Sequence, residues 1–202
     1  MAIYRTPEQD LLVCPRVLAQ TTIIKRTVIS LQAEGLVVSD TNDAEASETP
    51  RELTDLDRFY LEFWPEFLLN LKLDDPGQPM AKPTHVGNIF FSLPSSSDAW
   101  ITVYFWQQRK EIGVFLTFTR GSQQGDAIYK RLTDQKDEIT KEIAFPLSWE
   151  SEGGEHKIVV RRQFDDLRSP GNREQIKQWF ADPINRYLST FRPKIERILA
   201  ET

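Results

Sequence analysis

Ala99-Trp-Ile-Thr-Val-Tyr-Phe-Trp106 is the stretch whose reading decides the fold. Ile101, Val103 and Phe105 alternate with Trp100, Thr102, Tyr104 and Trp106, and successive side chains of a strand point to opposite faces. The spacing therefore predicts a strand with a partly aromatic character on both faces. The expectation is a sheet that packs something on each side. Val86 to Leu93 and Glu111 to Thr119 flank it and read as strands too. Pro94-Ser-Ser-Ser-Asp98 and Gln107-Gln-Arg-Lys110 join the three, links short enough for antiparallel neighbours.

Working outward, Thr54 precedes Leu56, Phe59, Tyr60, Phe63, Trp64, Phe67, Leu68 and Leu71, a three-then-four spacing that predicts a helix with one apolar face. Thr54 is the predicted N-cap, with Asp55 and Asp57 in the electropositive first turn. Pro76, Gly77, Pro79 and Pro83 break the chain before the first strand. On the other side, Ile128, Leu132, Ile139 and Ile143 recur at helical spacing between Gln124 and Ile143. Phe145 to Glu150 and His156 to Gln163 read as a hairpin across Ser151-Glu-Gly-Gly-Glu155, whose glycines supply positive φ.

The chain closes with helices. One is predicted from Asn172 to Phe180; the next is capped by Asp182 with Pro183 at its first position, and Pro193 should kink or divide it. The predicted order is α-β-β-β-α-β-β-α-α. It describes an α+β domain, residues 53–202, with a largely antiparallel sheet of about five strands and helices packed on it.

The first part reads differently. Residues 1–38 form an N-terminal appendage in which Val17 to Val38, rich in β-branched residues, fits either a strand pair or a helix stopped at Gly35. Residues 39–52 carry Asp40, Asp43, Glu45 and Glu48 among small polar residues, the composition of an acidic linker.

Composition bounds the function. With 202 residues, 40% of them hydrophobic, a chain of this size buries roughly 70% of its unfolded surface and needs no staples. One cysteine, Cys14, forms no internal disulfide, and with only His85 and His156 it completes no Cys/His zinc cluster. No run is long and apolar enough for a membrane span, and the first residues lack the order of a signal peptide. A cytoplasmic protein without a membrane partner is expected. The formal charge of −5 opposes a general attraction to phosphate backbones.

Phe63-Trp64-Pro-Glu-Phe67, Glu111-Ile-Gly-Val-Phe-Leu116, Lys136-Asp-Glu-Ile139, Leu147-Ser-Trp149, Trp179 and Phe191-Arg-Pro-Lys-Ile195 follow one another in a specific order. Together they resemble the bacterial family of the domain of unknown function 4268, over roughly Leu53 to Leu199. Members of that family commonly sit behind a PD-(D/E)XK nuclease-like domain, so the resemblance implies an accessory role in nucleic-acid or phage-defence chemistry. The segment before the matched region is too short for such a nuclease core, and the accessory half is what is expected here.

No residue pattern calls for a cofactor or metal. Asp134-Gln-Lys136 is the Asp-x-Lys of the chain, but it falls in a predicted helix without an acidic strand partner. His156 stands beside Glu155 in a glycine turn and reads as a turn residue, and His85, between prolines and a strand, carries no catalytic signal. Two binding surfaces are the better candidates, which makes a non-catalytic recognition domain the expected function. Trp100, Tyr104 and Trp106 share a strand face that fits a protein partner or self-association. The alternative is a nucleic-acid-binding strip of Lys157, Arg161, Arg162, Arg173 and Lys177, in which alternation turns Arg162 away from the other two strand cations.

Overall fold

A computed structural model describes residues 2–5, 11–14, 26–32, 35–41 and 51–201, with side chains from Leu53 to Glu201. The chain divides into two compact units, Met1–Leu53 and Thr54–Thr202.

In the first unit β1 (Ala2–Arg5) pairs antiparallel with β2 (Leu11–Cys14). A three-stranded antiparallel sheet follows, in the order β3 (Arg26–Gln32), β4 (Gly35–Thr41), β5 (Arg51–Glu52). Of the two readings of Val17 to Val38, the described residues follow the strand pair, with Gln32 opposite Gly35. Thr21 to Ile24 lie outside the described residues, as do residues 42–50 of the acidic stretch.

The second unit is α+β. Helix α1 (Asp55–Asn70) leads into a meander of β6 (Asn88–Ser92), β7 (Ala99–Trp106) and β8 (Glu111–Phe118). Then come α2 (Gln123–Thr133), α3 (Lys136–Ile143), the hairpin of β9 (Ser148–Glu152) and β10 (Glu155–Gln163), and α4 (Pro170–Ala200). The five strands form one antiparallel sheet in the order β6-β7-β8-β10-β9.

Local chemistry sets the ends. Thr54 and Asp57 cap α1 reciprocally: the Asp57 N–H donates to Thr54 Oγ1 at 3.1 Å and the Thr54 N–H to Asp57 Oδ2 at 2.9 Å. Gly153 and Gly154 both take positive φ in the β9–β10 turn, as the sequence requires.

The helices depart from expectation in two places. The single helix predicted from Gln124 to Ile143 is broken at Asp134 and Gln135. There the Gln135 N–H turns back to Leu132 O, and each half aims its own pair inward, Ile128 with Leu132 and Ile139 with Ile143. The two closing helices expected, Asn172 to Phe180 and another starting at Pro183 and kinked or divided at Pro193, are one unbroken helix, α4. An internal proline costs about 3 kcal/mol. Phe180, Ile184, Tyr187, Leu188, Phe191, Ile195 and Ile198 are all buried along that helix, each contributing about 1.5 to 3 kcal/mol. Burial wins.

The core sits between the sheet and the helices. Ile89, Phe91, Ile101, Val103, Ile112, Val114, Leu116, Ile158 and Val160 form the inner sheet face and are buried. Above one end, Phe59, Tyr60, Phe63, Trp64 and Phe67 of α1 interlock with Phe105 and Phe180, the Phe63 and Phe105 rings meeting edge to face at 4.9 Å. The Trp64 indole is satisfied by Val86 O at 2.8 Å. The expectation of a layer on each face is corrected: within this unit the helices cover one face, because their apolar stripes are spent on the aliphatic side of the strands. No described helix is long and apolar enough to cross a membrane.

Candidate binding face of the sheet

The other face is built from the alternate residues of the same strands. Strand register sets Phe90, Thr102, Phe115 and Val159 in one row, Asn88, Tyr104, Gly113 and Arg161 in the row on one side, and Ser92, Trp100, Thr117 and Lys157 in the row on the other. Phe90 is 47% exposed and Trp106 41% exposed, while Trp100, Tyr104 and Phe115 are half-buried. The Arg109 guanidinium stacks on the Trp106 ring at 3.9 Å.

Tyr104 anchors the polar part. Its hydroxyl donates to Glu111 Oε1 at 2.7 Å, and Glu111 is only 4% exposed, so this contact satisfies a carboxylate taken out of water. Burial, and then the hydrogen bond to Glu111, hold the Tyr104 hydroxyl well above the usual tyrosine range. The ring can lie there because its neighbour is glycine: a Cβ on Gly113 would come 2.5 Å from the ring. Ile112-Gly113-Val114 thus combines two core residues with the gap that Tyr104 fills.

Three of the four cations on this face are paired before any ligand arrives. Arg161 bonds Glu150, Lys157 bonds Glu155 at 3.1 Å, and Arg120 lies 3.9 Å from Glu155. Burial works against the Arg161 charge, but Glu150, with Tyr104 and Glu111 nearby, raises its pKa above the ordinary arginine value. Lys157 holds the Glu155 carboxyl below the usual range. Two shallow concavities of about 670 and about 310 Å³ open on the face and share Asn88, Thr102, Phe115 and Lys157.

The residues of the predicted basic strip part company. Lys157 and Arg161 lie on this face. Arg162 points to the helix side, over the Phe164 ring and into a shallow cleft with Phe145 and Trp179. Arg173 and Lys177 clamp α4 to α1, both bonding the Glu66 carboxylate, and Lys177 is 8% exposed. Those two bonds lower the Glu66 pKa.

The other candidates resolve into structure. Asp134 ends α2 and Lys136 opens α3, its ammonium 5.8 Å from the Trp149 ring. His156 stacks on Tyr129 at 4.3 Å with Nε2 3.2 Å from Asp126. His85 lies in the loop before β6, and Cys14 is in β2 of the other unit. Among the described residues no group of three or more His, Cys, Asp or Glu side chains is placed to hold a metal ion. Sequence reasoning passed over Phe90, Thr102, Glu111 and Phe115. Phe90 and Phe115 break the aliphatic pattern of their strands on the face away from Ile89, Phe91, Val114 and Leu116, and that signal was available.

An antiparallel sheet covered by helices on one side, with a mixed aromatic and ion-paired face on the other, defines an open-faced α+β domain. The chain belongs to the family described as Domain of unknown function (DUF4268), whose model matches residues 59–195. No curated protein and no solved structure matches it.

Proposed function

We propose that the second unit is a non-catalytic recognition domain whose exposed sheet face meets a protein partner. One observation carries the reading: Phe90 and Trp106 are large aromatic side chains left open to solvent on a face where three of the four cations are already ion-paired. Interface cores are enriched in Trp, Tyr, Phe and Arg. The family resemblance to the accessory half of nuclease-linked defence proteins supports the same role, recognition in the service of a catalytic partner.

The test is capture from an extract of the native cell after nuclease treatment, with wild type and with a Phe90→Ser, Trp106→Ser double variant. A protein retained by wild type and lost by the variant, at unchanged melting temperature, is the expected result. Equal capture by both overturns it. Self-association is the simplest form of the same surface, and light scattering on the two proteins detects it.

A second reading is nucleic-acid binding, favoured by Lys157 and Arg161 lying on the same face as the aromatic rings. It requires affinity that falls steeply with salt and weakens in Lys157→Ala or Arg161→Ala. Absence of binding at low salt ends it.

A further inference from the structure

Thr102 occupies the middle of the open face, between Phe90 and Phe115 across the strands and between Trp100 and Tyr104 along its own. It lines both concavities. The residue is 3% exposed, and its Oγ1 is buried without a hydrogen-bond partner. Its neighbour on the floor, Thr117, differs: that hydroxyl donates to His156 O at 3.2 Å. An unpaired buried hydroxyl lowers stability with no structural return, and such a group asks for a partner from outside the fold.

We infer that this face seats an uncharged planar ring with a hydrogen-bonding edge, the phenol of a tyrosine or the indole of a tryptophan on a partner protein, over Thr102. The inference rests on the recognition reading above and names the anchor that reading lacks. Phe90, Trp100 and Phe115 supply aromatic walls, and Thr102 supplies the polar contact that fixes the edge of the ring. Phe90 is the wall free to turn and open the way to Oγ1: it lies on the edge strand, exposed, and stacks on no other ring among the described residues.

Charge selects the source. Arg109, Arg120, Lys157 and Arg161 are balanced on this face by Glu111, Glu150, Glu152 and Glu155. Three of those cations already face a carboxylate, so a phosphate chain gains little attraction and must break pairs to obtain it. A neutral ring on a polypeptide meets no such obstacle.

The experiment is NMR of the full chain with methyl-labelled threonine, titrated with N-acetyl-tyrosinamide, N-acetyl-tryptophanamide, N-acetyl-phenylalaninamide and uridine monophosphate. The tyrosine or tryptophan amide is expected to shift the Thr102 methyl and to bind about tenfold more tightly than the phenylalanine amide, the factor one ordinary hydrogen bond gives. Thr102→Val, a change of similar shape, should erase that preference without lowering the melting temperature. Equal binding of all three amides, preference for uridine monophosphate, or no shift at Thr102 overturns the inference. If those probes fail while the Phe90/Trp106 variant still loses its captured protein, only the anchor chemistry falls and the recognition reading stands.

Discussion

The two faces of one sheet are made from the same five strands and share every backbone hydrogen bond, yet they have opposite economies. Towards the helices the strands show mostly aliphatic or aromatic carbon, and Ile89, Ile101, Val103, Ile112, Val114 and Leu116 have no exposure at all. Towards the outside the same strands carry Phe90, Thr102, Tyr104, Glu111, Lys157 and Arg161, a mixture in which each charge or hydroxyl needs its own partner. Bulk apolar area holds the first face together, with little dependence on direction. Named contacts hold the second. On the proposed reading, stability and recognition are separated by a single residue step along each strand.

Substitutions that respect this division should differ sharply in effect. Phe63→Ala, in the aromatic layer over the inner face, should cost about 3 to 5 kcal/mol in chemical denaturation. Phe90→Ala on the outer face should stay within about 0.5 kcal/mol, and comparable losses would erase the distinction. Gly113→Ala drives a methyl group into the Tyr104 ring and should cost about 1 to 3 kcal/mol. The displaced ring should show in near-ultraviolet circular dichroism.

Tyr104→Phe removes the donor to Glu111 and should cost about 1 to 2 kcal/mol near neutral pH. Because burial and that hydrogen bond raise the folded pKa of Tyr104, its contribution is complete below about pH 10 and fades as pH rises towards the folded value. Melting temperature above that pH should therefore fall less steeply in Tyr104→Phe than in wild type. Thr102→Val has the opposite sign: removing an unpaired hydroxyl should stabilise the unit by a few tenths of a kcal/mol, up to about 1 kcal/mol. A loss would show that the hydroxyl has a partner in solution.

Much of the architecture was legible in the chain. The alternation of Ala99 to Trp106 gave β7 its two limits, and Thr54 with its acidic first turn marked the start of α1. The paired glycines located the β9–β10 turn. Local periodicity reports on the element that contains it, which explains these agreements. It does not report which of two apolar faces another element will reach, so the helix-free face was read as packed. Nor does it report partners distant in sequence: Arg173 and Lys177 look like free cations until Glu66, on α1, is seen between them. Trp100, Tyr104 and Trp106 were legible as a shared face. Glu111, placed next to a turn, gave no sign that a tyrosine seven residues earlier would hold it out of water.

Helix α4 has a consequence for how the protein is made. It is the final element of the unit, yet Phe180 enters the aromatic cluster of α1 and the Tyr187 hydroxyl reaches Ile158 O at 3.2 Å on β10. A nascent chain halted before Pro170 would carry the aliphatic side of the sheet with only α1, α2 and α3 to cover it. The core of this unit therefore closes only once α4 is in place.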